Sequence, residues 1–327
     1  MTLVLKRTDV FACLGMTDCI TAVERAFCAE ALGHTLPAGV LGTHAEHGGF
    51  HVKTAGIADH PRYYAAKINA NFPQNPARHG RPTIQGVISL HDAGTGEVLA
   101  LLDSASITAL RTGAATAVAA KYLARSDAAS VGIVGCGVQA RSQVRALSRV
   151  RSITSVHAYD VDRAAAERFS AEMRDELACA VVIVDALPKA TEGADIVVTC
   201  TTAREPILSS HDVRPGAFVA AVGADSADKQ ELDGALLSGN KIVVDSLEQC
   251  AEFGELHQAI RDGLMSRQDV HATLADVVVG RRAGREGDDE ITIFDSTGTG
   301  LEDVAAAAVA YERAITLGVG DVIRLDA

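Results

Sequence analysis

The sequence predicts an α/β chain of two domains. One is a parallel sheet wound with helices in the middle of the chain; the other is a discontinuous α+β domain assembled from both ends. Three observations predict this. At 327 residues the chain exceeds what one hydrophobic core comfortably organises. Apolar residues make up 48% of it but aromatics only 4%, with no Trp, so the interior must be filled by Ala, Val, Leu and Ile, which suits helices layered on a parallel sheet. Finally, the rhythm changes along the chain, from short apolar runs between turn residues to alternating strands and helices.

The first element is a helix over residues 17 to 32, with Thr17 as N-cap, Asp18 in the first turn, Ile20, Val23, Phe27 and Ala31 at helical spacing, and Gly33 to stop it. From about 38 to 102, runs around Phe50–Val52, Tyr64–Ile68, Ile84–Leu90 and Val98–Leu102 are divided by turns at His47-Gly48-Gly49 and Asp92-Ala93-Gly94-Thr95-Gly96, the pattern of an antiparallel sheet. Ser106 caps a long Ala-rich helix reaching about Arg125. Strands follow at Val131–Val134, Val156–Tyr159, Val181–Val184, Ile196–Thr199, Phe218–Val222 and Ile242–Val244, most of them separated by helical stretches. A last helix, Leu301–Leu317, sets Leu301, Val304, Ala308, Tyr311 and Ile315 on one stripe and returns to the first domain. The expected division is residues 1–125 with 300–327 against 126–299.

A formal charge of −12 and a pI near 5.3 argue against nucleic acid or an anionic membrane surface as partner. Residues Met1 to Val10 carry Lys6, Arg7 and Asp9, which breaks any apolar export signal, and no segment reaches the length of a membrane span. Seven scattered cysteines without a Cys-x-x-Cys pair read as small apolar residues in a reducing compartment, so the expected location is the cytoplasm.

The sharpest local signal is Gly135-Cys136-Gly137-Val138-Gln139-Ala140, a Gly-x-Gly-x-x-Ala turn between a strand and a helix. Gly135 permits the tight turn and Gly137 the approach of a pyrophosphate. Ala140 keeps the helix against the sheet, while the first helical N–H groups, at Val138 and Gln139, face the negative charge. Asp160, ending the next strand, can accept hydrogen bonds from both ribose hydroxyls and would repel a 2′-phosphate. The fingerprint is that of a Rossmann domain binding NAD(H), favoured over NADP(H), which nearby Arg163 keeps as the second choice.

Lys53, Lys67 and Arg111 are cations able to hold a carboxylate, and Arg111, set among Ala, Thr and Gly on the Ala-rich helix, would need a partner if it faced the interior. Asp225 follows the strand Phe218–Val222, at the end where open α/β sheets bind ligands. His44, His47 and His51 lie close in sequence, but without a carboxylate in ligand spacing they give no metal site. Asp228-Lys229-Gln230-Glu231 reads as a solvated helix start.

Six ordered motifs resemble the ornithine cyclodeaminase/mu-crystallin family, which also holds alanine dehydrogenases and ketimine reductases. They are Lys67-Ile68-Asn69 with Phe72-Pro73-Gln74-Asn75, Gly94-Thr95-Gly96, Ile107-Thr108-Ala109-Leu110-Arg111-Thr112, Gly135-Cys136-Gly137-Val138-Gln139, Val222-Gly223-Ala224-Asp225, and Phe294-Asp295-Ser296-Thr297-Gly298. The resemblance implies that Lys67 is the active-site lysine, Arg111 the carboxylate-binding arginine, Thr83 a substrate or cofactor contact, and Asp225 the catalytic aspartate that handles the proton on the substrate amine. Thr112, Thr201 and Ser296 are added as candidate cofactor contacts. It also implies a homodimer paired through the sheets of the first domains.

Departures from the family pattern include Ala227-Asp228 in place of Pro-Gly after the aspartate, Ala275-Asp276 in place of Gly-Glu, and two positions at the substrate end. Gly39 stands where a further carboxylate-binding arginine is usual, and Lys53 where a methionine is; we expect Lys53 to supply the absent charge or to meet a second acidic group. The first expectation is an NAD-dependent dehydrogenase, or imine reductase, acting on a small L-amino or imino acid. The second is a redox-neutral, deaminating cyclisation of the cyclodeaminase kind. The third is a non-catalytic ligand-binding protein.

Overall fold

The computed structural model describes residues 1–177 and 179–325 and divides the chain into two compact units. Met1–Arg111 and the C-terminal segment from Thr299 form the first; Thr112–Gly298 forms the second. The division falls inside the long helix Ser104–Leu123, earlier than the expected end at 125, and residues 326 and 327 of the expected C-terminal segment lie outside the described residues.

The first unit holds a seven-stranded sheet in the order Asp321–Ile323, Thr2–Leu5, Val98–Asp103, Ile84–Asp92, Tyr63–Asn71, Gly48–Ile57, Thr35–Ala45. The five strands from Thr35–Ala45 to Val98–Asp103 each run antiparallel to the next, as expected for the antiparallel sheet, but Thr2–Leu5 runs parallel to Val98–Asp103; Thr2–Leu5, Thr35–Ala45 and the helix Arg7–Cys13 are additional to the expected elements. The helix Gly300–Leu317 lies on the strands Gly48–Ile57 and Tyr63–Asn71, with Met16–Ala31 packed against it. Gly15, not Thr17, is the N-cap of Met16–Ala31. The long helix starts at Ser104 rather than behind Ser106, whose N–H and hydroxyl bond the Asp103 carboxylate at 2.9 and 2.8 Å.

Alternation along the strands gives this sheet two unlike faces. Toward the helices, Lys53 stands opposite Lys67 and Lys67 opposite Ile88. One residue on, the other face carries a cross-strand row of Leu41, Val52, Ile68 and Val87, of which Leu41 is 61% and Ile68 46% exposed.

The second unit is a Rossmann domain. Its eight strands pair in parallel in the order Ala272–Thr273, Lys241–Val244, Thr292–Asp295, Phe218–Ala221, Ile196–Thr199, Ser130–Val134, Ser155–Tyr159, Ala180–Ile183. All six expected strands are present; Thr292–Asp295 and Ala272–Thr273 are additional. Chain order reverses between Ser130–Val134 and Ile196–Thr199, and ligands of such sheets bind beyond the strand ends at that reversal. Because every pairing is parallel, the residues after each strand share one edge: Gly135, Asp160, Thr201, Asp225, Asp245 and Ser296.

Candidate active site

In the first unit the sheet and its covering helix bring together three cations and two carboxylates, all within 7% of full burial: Lys53, Lys67, Arg111, Glu302 and Asp303. Like charges opposed on neighbouring strands repel, and burial without a counter-charge is costly. The helix Gly300–Leu317 supplies the counter-charges. Asp303 takes Lys67 Nζ at 2.5 Å and accepts from Arg111 Nε at 3.0 Å, while Arg111 Nη1 donates to Glu302 at 3.0 Å. The other Glu302 oxygen accepts the Thr299 N–H at 3.0 Å and the Thr299 hydroxyl at 3.2 Å, in a capping box that fixes where the helix begins.

Burial pushes the Lys67 ammonium down to about 8. Asp303 opposes that shift, and Arg111 and Lys53 add to it. Burial pushes the Asp303 carboxyl up, yet Lys67, Arg111 and Lys53 together hold it below the ordinary carboxylate range. The cluster thus gathers three cations around two carboxylates in one buried place. Glu302 and Asp303 were not among the candidates; the signal was Thr299-x-x-Glu302 ahead of an apolar run, with two acids entering a helix otherwise rich in Ala and Val. Thr83 stands apart from this cluster, half-buried before the strand Ile84–Asp92, with its carbonyl accepting the Phe72 N–H at 2.9 Å. His44 and His51 are out of register, facing Gly49 and Gly42.

In the second unit the glycine turn has the geometry that a dinucleotide needs. Gly135 adopts φ +91°, and a Cβ there would lie 2.8 Å from Thr201 Cγ2, so both backbone and packing require glycine. Gly137 is the N-cap of the helix Val138–Leu147 and no side chain caps it, which leaves first-turn N–H groups for a phosphate; Val138 is exposed. Asp160 braces the turn, its Oδ2 accepting from the Cys136 N–H at 2.7 Å and its Oδ1 from the Asp162 N–H at 2.8 Å. Each oxygen keeps a lone pair for a ribose hydroxyl. These residues fit the dinucleotide.

Farther along the same edge, half-exposed Asp225 is paired with Lys229 at 2.5 Å. Ser296 is buried with its hydroxyl 3.4 Å from Asp245, and Thr112 is buried on its helix. One expectation is corrected here: Gln230 and Glu231 do not open a solvated helix. Both are buried, Glu231 completely, because its carboxylate is taken up by three donors from neighbouring strand ends. Glu255 accepts the N–H groups of Glu231 and Leu232 at 2.8 and 3.0 Å, and Asp295 those of Glu255 and Leu256 at 3.2 and 2.9 Å. Among the described residues no group of three or more His, Cys, Asp or Glu side chains is arranged to hold a metal ion, and no helix is long and apolar enough to cross a membrane.

The chain is similar to known proteins along nearly its whole length. Alanine dehydrogenase of Archaeoglobus fulgidus is 40% identical over 325 residues, covering 99% of this chain and 98% of that protein. A solved archaeal alanine dehydrogenase dimer with bound NAD matches with a TM-score of 0.94 and 40% identity over 99% of both chains. The Δ1-pyrroline-2-carboxylate reductase of Thermococcus litoralis, solved with NADH and L-proline, matches with a TM-score of 0.94 and 36% identity over 98% of this chain and 100% of that one. The model of the ornithine cyclodeaminase/mu-crystallin family matches residues 1–317, and the chain belongs to that family.

Proposed function

We propose that the protein is an NAD(H)-dependent oxidoreductase that interconverts a small L-amino acid with its imino or keto acid. The observation that carries this reading is the buried cluster of Lys53, Lys67 and Arg111 against Glu302 and Asp303, whose cations are of the type that holds an α-carboxylate.

When bound, NAD(H) supplies the acceptor or donor of hydride for the α-carbon. Arg111 and Lys53 hold the substrate carboxylate. Lys67, with a proton affinity brought near neutrality, gives or takes a proton at the reacting nitrogen or its hydration product. Hydride leaves Cα only from the neutral amine, so Asp225 takes the ammonium proton in oxidation and returns it in reduction. Gly135, Gly137, Val138, Gln139 and Asp160 hold the dinucleotide, with Thr112, Thr201 and Ser296 as further contacts. The seven free cysteines suit a reducing cytoplasm.

The test is a screen of L-alanine, L-proline, L-ornithine and L-aspartate with NAD⁺, and of the corresponding imines with NADH, recording NADH, ammonia and cyclised product together. NADH change with one of these substrates is expected. Ammonia and ring closure without net NADH would replace the reading with a cyclodeaminase, and tight NADH binding without any exchange would replace it with a binding protein.

We also infer a homodimer joined through the outer face of the first unit's sheet, where Leu41, Val52, Ile68 and Val87 form an apolar row that water would otherwise cover. Ile68→Asp is expected to elute as a monomer in size-exclusion chromatography at micromolar protein, where the wild type elutes as a dimer.

A further inference from the structure

Glu231 is completely buried, its carboxylate is held by two peptide N–H groups and a hydroxyl, and it ties together two loops that the proposed reaction uses. The strands Ile196–Thr199 and Phe218–Ala221 are paired up to Thr199 and Ala221. Beyond them the chains continue as separate turns, one carrying Thr201 and the other leading through Gly223 to Asp225. The Glu231 carboxylate bridges the two. Its Oε1 accepts the Thr201 N–H at 2.6 Å, and its Oε2 accepts the Thr199 hydroxyl at 2.7 Å and the Gly223 N–H at 2.9 Å. The approach is as close as a backbone allows: a Cβ at position 223 would lie 2.5 Å from Glu231 Cδ and Oε1. The residue is fixed in turn, since its own N–H donates to Glu255 and its carbonyl accepts the N–H groups of Ile207 and Leu208 at 2.8 and 3.0 Å.

We propose that Glu231 is a positioning residue for hydride transfer, setting the Asp225 loop against the Thr201 turn so that proton acceptor and cofactor contact keep a fixed separation. A carboxylate is suited to this because it accepts on both oxygens and donates on neither, matching three donors that converge from two loops. The inference rests on the assignment of Asp225 made above, through which Glu231 acts.

The experiment is a double-mutant cycle on kcat for NADH formation, with thermal stability and NADH affinity measured on each variant. Glu231→Gln keeps the size but turns an N–H₂ toward N–H or O–H donors. It is expected to lower kcat by roughly 10–100-fold, the scale of an ångström-level misplacement, with KM within a few-fold and the melting temperature above that of the assay. In an Asp225→Asn background the same change is expected to cost at most about twofold more, because coupled residues are not additive. Losses that multiply in the double variant would overturn the coupling, as would wild-type turnover in Glu231→Gln. Asp225→Asn turning over at the wild-type rate would instead overturn the role of Asp225 itself. Should Glu231→Gln fail to fold, Thr199→Val removes one donor and leaves both peptide N–H bonds. A several-fold fall in kcat that vanishes in the Asp225→Asn background is expected, and an unchanged kcat would overturn the proposal.

Discussion

In the first unit Glu302 and Asp303 are buried against Arg111, Lys67 and Lys53, whereas in the second Glu231, Glu255, Asp295 and Asp245 are buried against peptide N–H groups, hydroxyls and a thiol. Burial is nearly complete in both places, and the outcome is opposite. Asp303 is held below the ordinary carboxylate range by full positive charges. Burial pushes Glu231 up in spite of its three donors, and pushes Glu255 well up, with the charges of Glu231 and Asp295 adding to the effect. It takes Asp295 to about 7, where the Leu256 N–H opposes the shift and Asp245 adds to it. Peptide dipoles recover only part of the hydration that a carboxylate loses, and a neighbouring cation recovers more. The same kind of side chain is thus a fixed anion in one unit, at Asp303, while in the other burial raises Glu231, Glu255 and Asp295 toward the neutral form.

The strongest way to break this contrast is to remove a cation. Lys67→Met is expected to lower kcat/KM about 10³-fold, within the range for loss of a general acid or base, as measured by steady-state assay. Its neighbours sharpen the point with smaller effects of opposite sign. With the Lys67 ammonium as the active form in imine reduction, kcat/KM falls as pH rises through about 8. Asp303 favours the ammonium, so Asp303→Asn moves that alkaline limb to lower pH. Lys53 disfavours it, so Lys53→Met moves the limb to higher pH, and also raises KM if Lys53 holds the substrate carboxylate. Limbs that move in the same direction in both variants would refute the charge assignment.

The smallest expected effect is on stability. Asp295 has a raised folded-state pKa, so its contribution to stability is complete below about 3.9, its unfolded value, and is lost as pH rises through about 7. Glu231 and Glu255 are shifted in the same direction. Asp295→Asn cannot titrate. Its deficit in melting temperature relative to wild type is expected to be larger at pH 5 than at pH 8, and a deficit independent of pH would show that Asp295 does not change protonation there.

The contrast also explains what was legible in the sequence. The glycine turn and the strands around it follow from local chemistry: Gly135 needs a positive φ, and each apolar run is bounded by turn residues. Lys67 and Arg111 were single cations among many until their motifs were read together. Glu302 and Asp303 stayed hidden because acids in a first helical turn have an ordinary explanation in the helix dipole, and the partner they share, Arg111, comes from about 190 positions earlier in the chain. Glu231 was misread for a related reason. Asp228-Lys229-Gln230-Glu231 is polar enough for a solvated surface, and only the convergence of two strand ends makes its last residue an interior group. Thr2–Leu5 escaped because both of its sheet partners are remote in sequence, at Val98–Asp103 and Asp321–Ile323.

A single peptide link separates Lys67, turned toward Asp303, from Ile68 on the opposite surface of the same strand, and the same holds for Lys53 and Val52. If a second copy docks on that surface, the strands that carry Lys53 and Lys67 in the two subunits lie in two sheets stacked back to back. A ligand held at one cluster would then press on its twin through two stacked sheets, and saturation curves would depart from a simple hyperbola wherever those sheets yield.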